Sequence, residues 1–285
     1  MTLERGDSRI SFAAALAAEA ASGKKALLLS PLGWGKTHTL LAASDSLRSQ
    51  GVPFVFTDLF TAASTPERLV ADLTEAVSPF MARDTESVQA LAAESAGDRR
   101  RSPWALLRLL EMLSAGAPSR PFVWLVDEVT EIRSLAYFPE LSRIEAPFAR
   151  AVLASRGAIL TSSYLGLAQD LFPDFEPVWL RGLAPPDLAD VPSLRSDDGA
   201  IGAAIGITHG SAATLLPLVA DMRDSRDLGR SLARLLRPGG PLELTCRRHY
   251  EVLLMRSRGY AVSKRAAEVV AAARDLRLTL SLIHI

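Results

Sequence analysis

The sequence predicts an α/β fold with a parallel sheet, followed by a region that contains only helices. Short apolar segments alternate with helix-like stretches over roughly the first 183 residues of the 285-residue chain. Apolar runs bounded by turn residues are typical of parallel strands buried on both faces, and their alternation with helices indicates right-handed crossovers. After about residue 184 the strand-like segments stop, and helical patterns separated by Gly and Pro follow.

Five segments are expected to form the strands. They are short and rich in aliphatic, β-branched or aromatic residues, and they span 25–30, 53–58, 121–127, 157–163 and 177–180. The helices expected around them have apolar residues at helical spacing, and they run over 8–22, over 37–49, from Pro66 past Val77, and from Ser102 to near Gly116. This order of elements is that of a parallel sheet joined by crossover helices.

Local signals refine two of these helical predictions and mark one segment as exposed. Thr65 is an expected N-cap, because a threonine before a proline and an acidic first turn is a common helix start. In the helix over 37–49, we expect Leu40, Leu41 and Leu47 to face inward. The segment 82–101 is polar and charged, so it is expected to be an exposed insertion.

Composition and charge exclude few classes of protein. Lys+Arg and Asp+Glu are each 32, so the net charge favours no partner, although residues 221–285 carry 13 basic and 7 acidic side chains and hence a net +6. A basic end is compatible with DNA binding, and equally with solvated arginines on helix faces. The single cysteine, Cys246, excludes an intrachain disulfide and a thiolate zinc cluster. No apolar run approaches a bilayer-spanning length of about 18 residues, so we expect no membrane partner and a cytoplasmic location.

A phosphate-binding loop is predicted between the first strand and the second helix. Ser30–Thr37 reads S-P-L-G-W-G-K-T, against the general pattern G-x-x-x-x-G-K-[ST]. In such a loop backbone N–H groups surround phosphate oxygens at the positive end of the following helix. We expect Gly35 to permit a tight turn, Lys36 to reach the β- and γ-phosphates, and Thr37 to offer a hydroxyl to Mg²⁺.

The whole loop is expected to contact the nucleotide. The residues concerned are Pro31, Leu32, Gly33, Trp34, Gly35, Lys36, Thr37 and His38. Ser30 stands where the pattern has its first glycine. Because that glycine serves the bend of the loop more than phosphate contact, a serine is expected to fit if its φ is negative, changing affinity without abolishing binding.

An acidic pair follows the strand over 121–127. Asp127 and Glu128 end the segment F-V-W-L-V-D-E, and the carboxyl ends of parallel strands open into the ligand crevice. We expect Asp127 to hold Mg²⁺ together with Thr37, and Glu128 to orient or deprotonate an attacking water. An Asp-Glu pair after a strand is also a common helix start, so the prediction depends on the phosphate loop that precedes it.

A polar strand end completes the predicted catalytic set. The strand over 157–163 ends in Thr161-Ser162-Ser163. Ser162 or Ser163 could hydrogen-bond the γ-phosphate or the water, although serines at a strand end are also ordinary turn formers. The sequence does not distinguish the two serines, so both are candidates alongside Glu128 and Lys36.

These motifs resemble those of P-loop ATPases of the AAA+ and STAND type. "SPLGWGKT" is similar to the Walker A sequence "GPPGTGKT", "LVDEVTEI" resembles a Walker B motif, and "AILTSSYLGL" resembles sensor 1 of the archaeal-type ATPases. The resemblance covers roughly residues 5–220. It implies a P-loop NTPase core that binds ATP with Mg²⁺.

The resemblance also implies an order of domains. A P-loop ATPase core is expected over 1–183, a helical lid over 184–258, and the start of an incomplete winged-helix-like domain over 259–279. The last six residues, 280–285, read L-S-L-I-H-I and can be encoded by a transposon-end sequencing adapter. We therefore expect them to be an artefact and exclude them from the fold.

The expected function is ATP binding with slow Mg-dependent hydrolysis, in which the nucleotide state repositions the lid. The alternative is a nucleotide-gated DNA-binding regulator in which hydrolysis is incidental, and a small-molecule kinase ranks last. Expected partners are ATP, a protein client or further copies of the chain, and DNA through the C-terminal region. Arg181, after the last strand, could reach a γ-phosphate or be a surface charge, and Asp58 is expected to cap the next turn.

Overall fold

The computed structural model describes most of the chain. The described residues are 8–81, 84–116, 120–188, 198–225 and 227–256. The chain divides into two compact units, Met1–Ala212 and Ala213–Ile285. The domain boundaries at 183 and 258 stay predictions, and the predicted segments 259–279 and 280–285 lie outside the described residues.

A five-stranded parallel sheet forms the centre of the first unit, as the sequence predicts. Its strands are β1 (Lys25–Leu29), β2 (Phe54–Asp58), β3 (Val123–Asp127), β4 (Gly157–Ser162) and β5 (Glu176–Trp179). The spatial order is β2-β3-β4-β1-β5. Because β4 lies between β1 and β3, the residues that follow β1 and β3 approach each other across the end of β4.

Helices cover both faces of the sheet. Those of the first unit are α1 (Arg9–Ala21), α2 (Lys36–Ser49), α3 (Leu59–Ala62), α4 (Pro66–Val77), α5 (Thr85–Gly97), α6 (Ser102–Ser114), α7 (Glu145–Ala154), α8 (Leu165–Leu171) and α9 (Asp198–Thr208). A 3₁₀ stretch, Val129–Tyr137, follows β3. Two caps are those predicted: Thr65 accepts from the Arg68 N–H of α4, and Asp58 caps α3. Ser8, for which no cap was predicted, caps α1.

The core has two layers, one on each side of the sheet. Alternate residues of β1 point to opposite faces: Leu27 and Leu29 join the layer beneath α4–α7, and Leu28 joins the layer beneath α1 and α2. Fully burying one leucine side chain stabilises the fold by roughly 1.5–3 kcal/mol. The central strands are apolar on both faces because both faces are covered by helices.

One local prediction holds only in part, because most but not all of the polar segment 82–101 is exposed, and another is wrong. The polar segment predicted as an exposed insertion forms α5, which begins at Thr85 and buries Val88 and Leu91 in the core. Val88 and Leu91 are three positions apart and so lie on one face of the helix, which packs on the core while the other face stays exposed. Leu41, expected to face inward, is 44% exposed, whereas Leu40 and Leu47 are buried, because consecutive helical positions lie about 100° apart.

The second unit is helical in its described residues. The helix α10 (Ala212–Ser225) runs into it, and α11 (Leu228–Leu235) and α12 (Pro241–Arg256) follow. Asp227 caps α11, and Arg234 pairs with Asp221 at 2.5 Å. None of the helices seen in the described residues has the length and apolar character needed to cross a bilayer.

Candidate functional site

The loop between β1 and α2 has the backbone shape that its glycines allow. Gly33 (φ 81°) and Gly35 (φ 92°) are both left-handed, a region that residues with a Cβ rarely adopt. Ser30 is buried, and it is not among the described non-glycine residues with positive φ. The condition under which a serine was expected to fit is therefore met.

The amino end of α2 points its backbone donors at the loop. The first helical hydrogen bond of α2 runs from Thr39 N–H to Gly35 O at 2.9 Å. The N–H groups of Lys36, Thr37 and His38 therefore have no carbonyl partner within the helix, and they sit at its positive end. Such an end is a general anion site.

Lys36 folds back over the loop. Its Nζ donates to the carbonyls of Ser30 (3.1 Å) and Pro31 (3.3 Å) and to Ser163 Oγ (2.7 Å). It also lies 3.5 Å from Glu128 Oε1 and is almost completely buried. The lysine thus joins the loop to the ends of β3 and β4.

Asp127 is held through both carboxylate oxygens. Thr37 Oγ1 donates to Oδ2 at 2.6 Å, and Thr161 Oγ1 donates to Oδ1. The carboxylate is only 5% exposed. Its two hydroxyl donors come from the start of α2 and from the neighbouring strand β4, so this contact crosses the crevice that the sequence predicts.

Glu128 has an unusual backbone and a fixed side chain. It is left-handed (φ 48°, ψ 55°), a conformation that costs a non-glycine residue roughly 1–2 kcal/mol. Its N–H donates to Thr161 Oγ1 at 3.0 Å, and its carboxylate accepts from Ser163 Oγ (2.6 Å) and Ser163 N–H (3.2 Å). Surrounding contacts therefore hold the carboxylate beside Lys36.

The two candidate serines have different surroundings. Ser163 contacts both Lys36 and Glu128. Ser162 is fully buried, lies 3.2 Å from Thr130 Oγ1, and accepts from Tyr164 N–H at 2.9 Å. The structure thus brings Ser163 to the predicted catalytic group and places Ser162 in a hydrogen-bonded turn.

Burial dominates the electrostatics of the site. It lowers the pKa of the Lys36 ammonium, against the attraction of Glu128 and Asp127. It raises the pKa of the Asp127 carboxyl, against the hydrogen bonds from Thr161 and Thr37. Both charges are thus desolvated; the Lys36 ammonium is offset by two carboxylates, whereas the Asp127 carboxylate is offset by two neutral hydroxyl donors.

The donor set fits Mg²⁺. Mg²⁺ prefers oxygen ligands and usually takes one or two from the protein, the rest being substrate phosphates and water. Thr37 Oγ1 and Asp127 Oδ2 form such a pair, 2.6 Å apart. Within the described residues no group of three or more His, Cys, Asp or Glu side chains could hold a metal alone.

An arginine that the sequence analysis missed clamps the phosphate loop from the side of α1. Arg9 donates through its guanidinium to the carbonyls of Trp34 and Arg181. A Cβ on Gly35 would lie 2.8 Å from Arg9 Nη1, the flexible end of that side chain, and the left-handed backbone of Gly35 (φ 92°) independently favours glycine. No sequence motif marks Arg9, because its partners are distant along the chain.

Asp187 anchors the same clamp. Its carboxylate accepts from Arg9 N–H (2.7 Å), Arg181 Nη1 (2.6 Å) and Ala184 N–H (2.9 Å). Arg181, considered above as a γ-phosphate contact, is thus paired with Asp187.

Replacing Asp187 with asparagine is expected to lower the free energy of unfolding by about 1–3 kcal/mol, because buried donors lose a charged acceptor.

The contribution of Asp187 to stability is also expected to depend on pH. Burial favours the neutral acid, but the bonds from Arg181, Ala184 and Arg9 hold the pKa of Asp187 below its ordinary value. Its stabilisation is therefore present above about pH 4 and lost as the pH falls through the folded-state value. Urea unfolding at several pH values measures it, with the exposed Asp174→Asn as control. Equal loss in both variants would contradict the anchor.

Comparison with known proteins supports the fold. Neither known family profiles nor curated protein sequences match the chain. A Walker-type ATPase of Pyrococcus abyssi is structurally similar, with a TM-score of 0.55 and 19% identity over 88% of this chain and 78% of that chain. Domain III of the Thermotoga maritima replication initiation protein DnaA has a TM-score of 0.39 and 13% identity over 83% of this chain and 85% of that chain. AMPPCP-bound DnaA from Aquifex aeolicus has a TM-score of 0.37 and 14% identity over 90% of this chain and 69% of that chain.

The first likeness concerns the fold alone, and the two DnaA structures, with TM-scores below 0.5, add no argument to it. The parallel sheet, the loop after β1 and the match to a Walker-type ATPase together define the chain as having a P-loop NTPase core.

Proposed function

We propose that the chain is a P-loop ATPase of the AAA+ type that binds ATP with Mg²⁺ and hydrolyses it slowly. One observation carries the proposal. The residues that phosphoryl transfer requires converge at the carboxyl ends of β1, β3 and β4. Thr37 Oγ1 lies 2.6 Å from Asp127 Oδ2, and Lys36 Nζ lies 3.5 Å from Glu128 Oε1.

The roles follow from the position and chemistry of each side chain. Lys36 would leave its carbonyl and serine partners and neutralise charge on the β- and γ-phosphates. Thr37 and Asp127 would hold Mg²⁺, which supplies further charge neutralisation when bound. Glu128 would orient a water and take its proton as the water oxygen attacks γ-phosphorus and the bond to the β-phosphate breaks, giving ADP and phosphate.

A chain of contacts supports a switch role for the nucleotide. Ser211 Oγ donates to the carbonyl of Gly33 in the phosphate loop at 3.3 Å. Leu183 N–H donates to Gly210 O at 2.7 Å, and a Cβ on Gly182 would lie 2.3 Å from His209 O. The turn 209–211 therefore touches the loop and leads directly into α10, so a loop that changes shape around phosphate can move that turn.

The proposal is tested by phosphate release from Mg·ATP by the purified protein, with Lys36→Ala as control. Release that vanishes in the variant supports hydrolysis, and release equal in both contradicts it. Release without any added acceptor separates a hydrolase from a small-molecule kinase. Equilibrium binding of labelled ATP, measured in parallel, tests nucleotide binding independently of turnover.

The two serines give a sharper prediction. Ser163→Ala is expected to reduce phosphate release about 10–100-fold, as the loss of an orienting hydrogen bond at a reacting group typically does. Ser162→Ala is expected to leave turnover within about twofold and to lower stability by about 1 kcal/mol, since its partners lie outside the site. Steady-state release and thermal unfolding of both variants measure this. A reversed ranking would assign the role to Ser162.

The DNA-binding alternative stays a prediction. The segment predicted to begin a winged-helix-like domain, 259–279, on which this alternative depends, lies outside the described residues. Among the described basic residues of the second unit, Arg234 is paired with Asp221 and Arg247 with Glu243.

A further inference from the structure

Thr161 has no role in the mechanism proposed above, although its hydroxyl contacts both residues of the acidic pair. It is the penultimate residue of β4, is fully buried, and lies on the strand between β1 and β3. Its hydroxyl makes two contacts: it donates to Asp127 Oδ1 and accepts the N–H of Glu128 at 3.0 Å. A hydroxyl has a single proton, and a backbone N–H can only donate, so the direction of both bonds is fixed.

This one hydroxyl therefore orients two neighbouring acidic residues. At Asp127 it occupies Oδ1, so that Oδ2 is the oxygen turned to Thr37, the partner expected to share a metal. At Glu128 it binds the backbone of a residue with φ 48°. Such a backbone persists only where surrounding contacts hold it. Thr161 supplies the contact to the main chain, and Ser163 supplies those to the side chain.

We propose that Thr161 is a positioning residue that sets the metal-facing oxygen of Asp127 and the backbone direction of Glu128 through a single shared hydroxyl. The inference rests on the proposed function, because it concerns Mg²⁺ and water activation at the same site. It distinguishes Thr161 from the two serines that follow it. Their hydroxyls contact Glu128 and Lys36 (Ser163) or a neighbouring turn (Ser162).

The test compares Thr161→Val, which keeps the shape and removes the hydroxyl, with Thr161→Ser, which keeps the hydroxyl. Thr57→Val is a matched control, because Thr57 is a buried threonine of the same sheet whose hydroxyl accepts from Trp124 Nε1 at 3.0 Å. Three quantities are measured for each protein: ATP affinity in EDTA, the Mg²⁺ concentration that half-saturates the metal-dependent gain in ATP affinity, and phosphate release.

Thr161→Val is expected to bind ATP in EDTA like wild type, to need about 10–100 times more Mg²⁺, and to lose turnover by a similar factor, as loss of a partner behind a metal ligand typically does. Thr161→Ser is expected to restore both to within a few-fold, and Thr57→Val to change neither. Thr161→Cys, whose thiol is a weak donor, is expected to fall between valine and serine and serves if the valine variant does not fold.

Two results would overturn the inference alone. One is an unchanged Mg²⁺ requirement in Thr161→Val while wild type binds and hydrolyses ATP. The other is a loss of ATP binding in EDTA confined to Thr161→Val, which would make the hydroxyl a support of the phosphate loop. Absence of ATP binding by wild type in both EDTA and Mg²⁺ would instead contradict the proposed function, and this inference with it.

Discussion

Replacing Glu128 with glutamine is expected to leave ATP binding within a few-fold of wild type and to reduce phosphate release by about 10²–10⁴-fold, the usual contribution of a positioned general base. Glutamine has nearly the same shape, and its single amide oxygen can keep one of the two hydrogen bonds that Ser163 Oγ and Ser163 N–H make to separate carboxylate oxygens. It cannot take a proton from water. The expected effect is therefore limited to the hydrolysis step. The rate of single-turnover phosphate release at saturating Mg·ATP measures this effect.

A matched control for this variant is Glu145→Gln. Glu145 lies at the start of α7 and pairs with Arg133 at 3.3 Å, away from the phosphate loop. Its replacement is expected to change neither binding nor release. Equal turnover in wild type and Glu128→Gln would show that another group activates the water. A joint loss of binding and release would make Glu128 a support of Lys36, its neighbour at 3.5 Å.

The strands could be predicted because the sequence signal for each of them is local, a short run of apolar residues bounded by turn residues. The strand β3 is buried at every position, so its apolar run is visible in any short window of sequence. The helix caps at Thr65 and Asp58 could be predicted equally well, since a cap requires a specific side chain within a few residues of the donors it satisfies. The helix α5 was not predicted, because only the tertiary structure shows that Val88 and Leu91 are buried in the core.

The residues of the candidate site likewise fall into those that the sequence could predict and those that it could not. Lys36 and Thr37 belong to a loop whose spacing is dictated by a phosphate group, so their grouping could be predicted from a single segment. Thr161 could not be assigned to Asp127, since the two are 34 residues apart in sequence. The same holds for Arg9, which reaches Arg181 across 172 residues. Such contacts are set by strand order, which the sequence alone leaves open.

Replacing Lys36 with alanine is expected to have the broadest effect. In the ligand-free protein Lys36 partly neutralises Glu128, so its loss leaves a largely buried carboxylate with only the Ser163 donors. In the complex it removes the point charge expected on the β- and γ-phosphates. We expect ATP affinity to fall at least about tenfold and phosphate release at least about 100-fold, since a single preorganised charge at the reacting group is worth that much. Isothermal titration and phosphate release measure the two effects separately.

Two further variants provide a control and a test of side-chain geometry. Lys24→Ala removes an exposed lysine paired with Glu19, and it is expected to change neither ATP affinity nor phosphate release. Lys36→Arg keeps the charge but replaces a compact ammonium with a larger planar fork, which we expect to fit poorly between the carbonyls of Ser30 and Pro31 and so to recover affinity only in part.

The Lys36→Ala/Glu128→Gln double variant tests the pair directly. If the lysine offsets the Glu128 charge in the free protein, the double variant should be more stable than Lys36→Ala alone by about 1 kcal/mol or more. Additive losses would mean that Lys36 is held by Ser30, Pro31 and Ser163. Lys36 would then stabilise the loop through its hydrogen bonds, and its charge would be used only when phosphate is bound.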